Sequence, residues 1–131
     1  MKAIYLDHAA TTPVHPEVIK AMTTALSNDF GNPSSIHSFG RKARSHLDEA
    51  RATAATSIHA QERDIIFTSG GTEANNLAIT GTALANQDKG KHIITTKMEH
   101  HAVLHTIANL EQQGFDVSYL ETDETGLITV E

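Results

Sequence analysis

From residue 64 onward, short apolar runs alternate with segments of helical period: Ile65 to Thr68, a helix from Thr72, His92 to Thr96, a helix from about His101, then Asp116 to Leu120. Such a βαβαβ series argues for parallel strands joined by right-handed crossovers, with helices covering the sheet. Leu77, Gly81 and Leu84 mark the packed face of the first crossover helix. Val103, Ile107 and Leu110 mark that of the second, which Gly114 should terminate. Leu127 to Val130 reads as the start of a further strand. The length of 131 residues suits one ordinary domain, and no repeat, low-complexity stretch or linker divides it.

The first half reads differently. Residues 1 to 15 show little period, and Thr11-Thr12-Pro13 marks an irregular segment. From Pro16, which suits a first helical turn, Ile19, Met22 and Leu26 recur on one helical face. Asn28 to Ser35 is dense in turn formers and predicts an ordered loop. A long helix follows, with Ala43, Leu47, Ala50 and Ala54 along one side and Arg41, Arg44, Glu49 and Arg51 over much of the rest.

Within the alternating half, Ser69-Gly70-Gly71-Thr72 joins an apolar run to a helix start. Glycine lets the backbone come close to a ligand, and the first N–H groups of a helix have no internal partner and sit at its positive end. That combination suits a phosphate. The plainer alternative is that Ser69 or Thr72 caps the helix, with Glu73 in its electropositive first turn. The spacing is neither the P-loop nor the dinucleotide fingerprint.

Ligands of open α/β sheets sit beyond the carboxyl ends of the strands, and both Ser69 to Thr72 and Met98-Glu99-His100-His101 follow a strand at that end. The two segments are therefore expected to converge on one crevice. His100 is the candidate to stack on an aromatic ligand and exchange protons, against the alternative of a solvent-facing or helix-capping histidine. His101 and His105, four apart, form a pair able to chelate zinc, but no third ligand is fixed by spacing and no metal site is assigned. The other six of the nine histidines are scattered, and most of them read as surface or turn residues.

Composition removes several classes of function. The chain has no cysteine, so disulfides, thiolate metal sites and thiol nucleophiles are excluded from these residues. A formal charge of -6 argues against nonspecific nucleic-acid binding. No apolar run approaches the roughly 20 residues of a membrane span, and MKAIYLDHAATT lacks the regions of a signal peptide. A soluble, cytoplasmic protein is the expectation.

Taken in order, YLDHAATTP at Tyr5 to Pro13, FGNPSSIHSFG at Phe30 to Gly40, FTSGGTEANNLAI at Phe67 to Ile79 and EHHAVL at Glu99 to Leu104 resemble the N-terminal part of cysteine desulfurases. These are class V aminotransferase-fold enzymes that use pyridoxal 5'-phosphate. The resemblance implies an α/β fold: part of the large domain of the fold-type I pyridoxal-phosphate transferases, a three-layer, mostly parallel mixed sheet flanked by helices. Residues 1–15 would belong to the small domain and 16–131 to the cofactor-binding large domain.

By the same resemblance, Gly71 and Thr72 would hold the cofactor phosphate. His100 would stack on the pyridine ring and help move protons, and Asn32 and Ala9 to Thr12 would lie near the substrate entrance. The implied reaction converts L-cysteine to L-alanine and leaves sulfur on an enzyme cysteine, for iron–sulfur cluster or thiolation partners and scaffold proteins. The complete enzyme would be a homodimer.

The family's Schiff-base lysine, the aspartate paired with the pyridine nitrogen and the acceptor cysteine all fall beyond Glu131, and the motif gives Lys97 no such role. The chain is thus expected to be an N-terminal portion, inactive alone and prone to instability or association through uncovered sheet edges. A noncatalytic partner-binding module or one half of a split desulfurase is the alternative, and a histidine-based metal binder a weaker one.

Overall fold

The structure, a computed structural model, describes residues 3–128. The chain divides into two compact units, Met1–Ile66 and Phe67–Glu131.

In the first unit, α1 (Pro16–Asn28) starts with Pro16 in its first turn, where a missing N–H costs nothing. His15 caps it, its Nδ1 accepting from the Glu17 N–H at 3.4 Å. The predicted apolar face is present but uncovered: Ile19, Met22 and Leu26 are 52%, 55% and 78% exposed. Next comes α2 (Ser38–Ser57), capped by His37, whose Nδ1 accepts from the Gly40 N–H at 3.3 Å. Ala43 and Ala55 are its buried alanines. A 3₁₀ turn over Glu62–Asp64 follows.

The loop between the helices is tightly built. Phe30 and Phe39 stack with ring centroids 5.9 Å apart. Asn32 organises the turn, its Oδ1 accepting from the Ser34 N–H at 2.9 Å and its carbonyl from the Ser35 N–H at 2.9 Å.

At the loop's start, Asp29 clamps the end of α1 onto α2. Its carboxylate, only 9% exposed, lies 2.5 Å from Lys42 Nζ and 3.0 Å from His46 Nε2. The contact with the Lys42 ammonium, ahead of longer-range attraction to Lys42 and His46, holds the carboxyl below its ordinary value of 3.8 against the opposing effect of burial. A depressed carboxyl stabilises the fold above its unfolded value and stops doing so as pH falls through the folded one. Thermal melts from pH 7 down to about 2.5 should therefore show Tm falling below about pH 4. Asp29→Asn should lower Tm at neutral pH and flatten that acid limb. An unchanged limb in the variant would remove Asp29 from the clamp.

The second unit holds α3 (Gly71–Ala85), β1 (His92–Thr96), α4 (His101–Gln112) and β2 (Asp116–Leu120). The strands pair in parallel, with His92 opposite Asp116 and Thr96 opposite Leu120. Both strands and the start of α4 fall where the periodicity predicts them. The core is built on α4, with Ile107, Leu110, Ala102 and Thr106 buried and Phe115 beside them. Gly114 ends the helix at φ 88°, left-handed backbone that a side chain would strain. Phe115 N–H then reaches the Leu110 carbonyl at 3.2 Å and Gly114 N–H the Glu111 carbonyl at 3.0 Å, satisfying two helix-end acceptors.

Three expectations are corrected or left outside the described residues. Ile65 to Thr68 belongs to no strand, so the sheet among the described residues has two strands. A strand exists only through a ladder partner, which periodicity cannot supply. On α3, Leu77 and Leu84 are 47% and 40% exposed, while Ala74, Asn75, Ile79, Thr80 and Ala83 are the partly covered residues. The strand expected over Leu127 to Val130 lies partly outside the described residues. What is described there is a turn, with the Asp123 N–H donating to the Leu127 carbonyl at 3.0 Å. No helix is long and apolar enough to cross a membrane among the described residues.

Candidate active site

The helix that Gly71 opens has no side-chain cap. Gly70 is extended, at φ 166° and ψ −179°, and its carbonyl accepts the first intrahelical bond, from the Ala74 N–H at 3.1 Å. The N–H groups of Gly71, Thr72 and Glu73 find no protein acceptor among the described residues. The Thr72 hydroxyl likewise makes no bond to another described residue, while its carbonyl accepts from Asn76 Nδ2 at 2.8 Å. A Cβ added at Gly70 or Gly71 would meet nothing within 4 Å. Donors, positive helix end and open space thus coincide, which is what a phosphate requires.

The capping alternative at this turn is not realised. Ser69 does not cap the helix; instead its N–H and hydroxyl both donate to Glu73 Oε2, each at 2.7 Å. The Thr68 hydroxyl adds a bond to the Gly70 carbonyl at 3.2 Å. Sequence reasoning placed Glu73 only as a favourable first-turn charge. The Ser-x-x-x-Glu spacing, one helical turn, was the available signal.

His100 is the N-cap of α4, its Nδ1 accepting from the Ala102 N–H at 3.1 Å. The capping alternative for this residue is therefore realised, and it constrains the chemistry. An accepting Nδ1 carries no proton, so in the neutral ring the proton sits on Nε2. Its Nε2 makes no bond to another described residue.

Topology puts both helix starts at one end of the parallel pair. A parallel crossover obliges α4 to run back against β1. The residues that follow α3 lead into the start of β1, where Ile79, Ala83, Asn86, His92 and Phe115 line an apolar cleft of about 480 Å³. The carboxyl-terminal halves of α3 and α4 thus lie at the amino ends of the strands, and Gly71 and His100 at the other. The helices pack directly on one another.

Neighbouring groups are tied to other tasks. Lys97 Nζ pairs with Glu121 Oε1 at 2.5 Å. The loop after β2 is folded against Met98, whose sulfur accepts from the Thr122 hydroxyl at 3.1 Å. The His101 and His105 rings stack at 5.4 Å, and no group of three metal-ligating side chains occurs among the described residues. Much of the histidine content is structural. His15, His37 and His100 are caps, His59 is a positive-φ turn residue, His46 contacts Asp29 and His92 Nε2 meets Ser118 Oγ at 2.8 Å. Asn32 and the Asp7 turn, where Ala10 and Thr11 N–H groups bond to the Asp7 carbonyl, belong to the first unit.

Comparison with known proteins finds relatives over nearly the whole of this chain. A putative cysteine desulfurase, IscS 1, of Bacillus subtilis is 61% identical over 98% of this chain and 34% of its own length. The cysteine desulfurase IscS of Methanosarcina thermophila is 54% identical over 98% of this chain and 32% of its own. Among solved structures, SspA in complex with cysteine superposes with a TM-score of 0.84 at 42% identity, covering 95% of this chain and 36% of that one. A NifS-like protein gives 0.83 at 35% identity, covering 92% and 33%. The chain spans about a third of the length of the curated relatives it matches. The profile of the aminotransferase class-V family matches residues 4–131, and the chain belongs to that family.

Proposed function

We propose that these residues are the N-terminal portion of a pyridoxal 5'-phosphate-dependent cysteine desulfurase, with residues 1–15 contributing to the small domain and 16–131 to the cofactor-binding large domain. The observation that carries the reading is the uncapped start of α3, where three N–H groups and the Thr72 hydroxyl stand without protein acceptors among the described residues, beside open space. Gly71 and Thr72 bind the cofactor phosphate there. When bound, pyridoxal phosphate supplies an electron sink for carbanion chemistry on L-cysteine. His100 stacks on the cofactor ring and holds or delivers a proton at Nε2, because the cap keeps Nδ1 engaged.

These 131 residues contain no cysteine, so they do not by themselves accept sulfur, and turnover requires the lysine and thiol supplied by further chain. The complete enzyme is a cytoplasmic homodimer that passes sulfur to iron–sulfur cluster or thiolation partners and scaffold proteins. A second reading, a complementing half that associates with another polypeptide, draws on the surface. Two separate compact bodies of half this mass each would expose about 8,000 Å² together, whereas this chain exposes 10685 Å². Uncovered residues such as Ile36, at 90%, and Leu26, at 78%, contribute to that excess.

The test is to add pyridoxal phosphate to the purified chain, follow its absorbance, and then add L-cysteine. Saturable binding with no alanine or sulfide is expected. Thr72→Val should weaken that binding on the order of tenfold, the loss of one hydrogen bond to a charged group. Turnover by the 131 residues alone would sink the reading, and turnover only after mixing with a polypeptide carrying the lysine and cysteine would favour the complementing half.

A further inference from the structure

The phosphate seat has an unusual neighbour, a carboxylate that belongs to its own first turn. Glu73 Oε2 takes both donors of Ser69, the backbone N–H and the hydroxyl, at 2.7 Å each. Those two bonds close a ring of chain that contains Ser69, Gly70 and Gly71. Two of its residues are glycines, which have the largest backbone freedom to lose when a turn is ordered. Neither glycine is held by packing, since a Cβ at either would meet nothing within 4 Å. The remaining ties on the turn are the bond from the Thr68 hydroxyl to the Gly70 carbonyl and the first helical bond from Ala74. Ser69 N–H first, and its hydroxyl second, hold the Glu73 carboxyl below its usual range, so the acceptor is charged at neutral pH.

We infer that Glu73 is a positioning residue for the phosphate: by holding Ser69 it fixes the glycine turn, so that the N–H groups of Gly71, Thr72 and Glu73 stay aimed at the anion without contact from the carboxylate itself. This rests on the phosphate reading of Gly71 and Thr72. Two effects of the carboxylate oppose each other. Its charge repels a phosphate, a penalty of about threefold to fivefold in affinity across a solvated turn. Its two charge-assisted bonds pre-order glycine backbone that the ligand would otherwise have to order, worth about tenfold to thirtyfold. The second effect is the larger, so removing Glu73 weakens binding despite removing a like charge.

The experiment uses the full chain and two probes, pyridoxal phosphate and inorganic phosphate, followed through the amide resonances of Gly71 and Thr72. Glu73→Ala removes both effects, so its net loss in affinity for both should be about twofold to tenfold. Glu73→Gln, which keeps an oxygen able to accept from Ser69 and removes the repelling charge, should bind within about twofold of the parent protein. Adding Ser69→Ala to Glu73→Ala should cost nothing further, because the bond is already gone. Amide exchange at Ser69 in the ligand-free protein should quicken in Glu73→Ala while that of Leu110 stays unchanged, which separates a local clasp from general unfolding. Equal or tighter binding of phosphate by Glu73→Ala, with the parent protein binding normally, overturns the role of Glu73 alone. Failure of the parent protein to bind either probe overturns the phosphate seat itself, and the positioning role with it.

Discussion

Gly40→Ala should be strongly destabilising, although alanine is ordinarily the better helix residue by about 1 kcal/mol. Gly40 lies in the first turn of α2, where its N–H is held by the capping His37. A Cβ there would stand 2.2 Å from the Ser35 carbonyl oxygen and 2.7 Å from that of Asn32. Both obstacles are backbone, and both belong to the turn that Asn32 organises, so no side chain can swing aside. The loop must open or the helix must shift, and either breaks the cap, the Asn32 turn or the Phe30–Phe39 stack. A loss of about 3 kcal/mol or more is expected, outweighing the propensity gain. Gly31→Ala should behave alike, its Cβ falling 2.3 Å from the Phe39 carbonyl oxygen. Thermal melts by circular dichroism would measure both variants. An unchanged or raised Tm for Gly40→Ala would mean that the loop does not close as described.

The second large effect belongs to Leu110, the one large side chain among the described residues that is fully buried, at 0% exposed. Leu110→Ala removes packing at the centre of a small cluster that includes Ile107 and Phe115. The backbone bond from the Phe115 N–H to the Leu110 carbonyl sits at the same place, so the loss falls where the helix ends. The expected cost is about 3 kcal/mol, within the usual range for a buried leucine. A domain of this size has a total stability of only a few to about ten kcal/mol, so such a loss is severe. Leu77→Ala is the matched control. Leu77 is 47% exposed, and its truncation should cost less than about 1 kcal/mol. Urea titrations of the two variants side by side decide the matter, and equal losses would contradict the assigned core.

Those two leucines show how far periodicity reaches. Both were expected on packed faces, and one of them is. In α4 the stripe Val103, Ile107, Leu110 meets the core, whereas in α3 the partly covered side is that of Asn75, Ile79 and Ala83. A repeat of apolar residues says that a helix has a face to cover, but whether anything covers it depends on chain elsewhere. The same holds for Ile65 to Thr68, which has strand composition but no ladder among the described residues.

The candidate site divides along the same line. Ser69 to Thr72 was legible as a glycine turn before a helix start, because that is a local signal with a local cause. His100 was legible as a candidate by its place after β1, yet its ring is engaged through Nδ1 by the Ala102 N–H. Histidine abundance invited a search for metal ligands, while several of the rings serve helix ends and ion pairs. The bonds of Glu73 to Ser69 and of Asp29 to Lys42 and His46 were not foreseen. Each depends on the direction of a side chain, which residue type alone leaves open.

The sequence by itself determined the identity and bounds of β1, β2 and α4, the stop at Gly114, the glycine turn before α3 and, through four ordered motifs, the family. Helical period, strand period and glycine's steric freedom act over a few residues and are written locally. Only the tertiary structure decided which faces are buried, which strands pair, that the Phe30 to Gly40 loop closes on two glycines, and that Ser69 answers to Glu73 rather than to the helix. Those outcomes follow from carbonyls, carboxylates and apolar surfaces brought together by the fold, and no local pattern specifies which of them will meet.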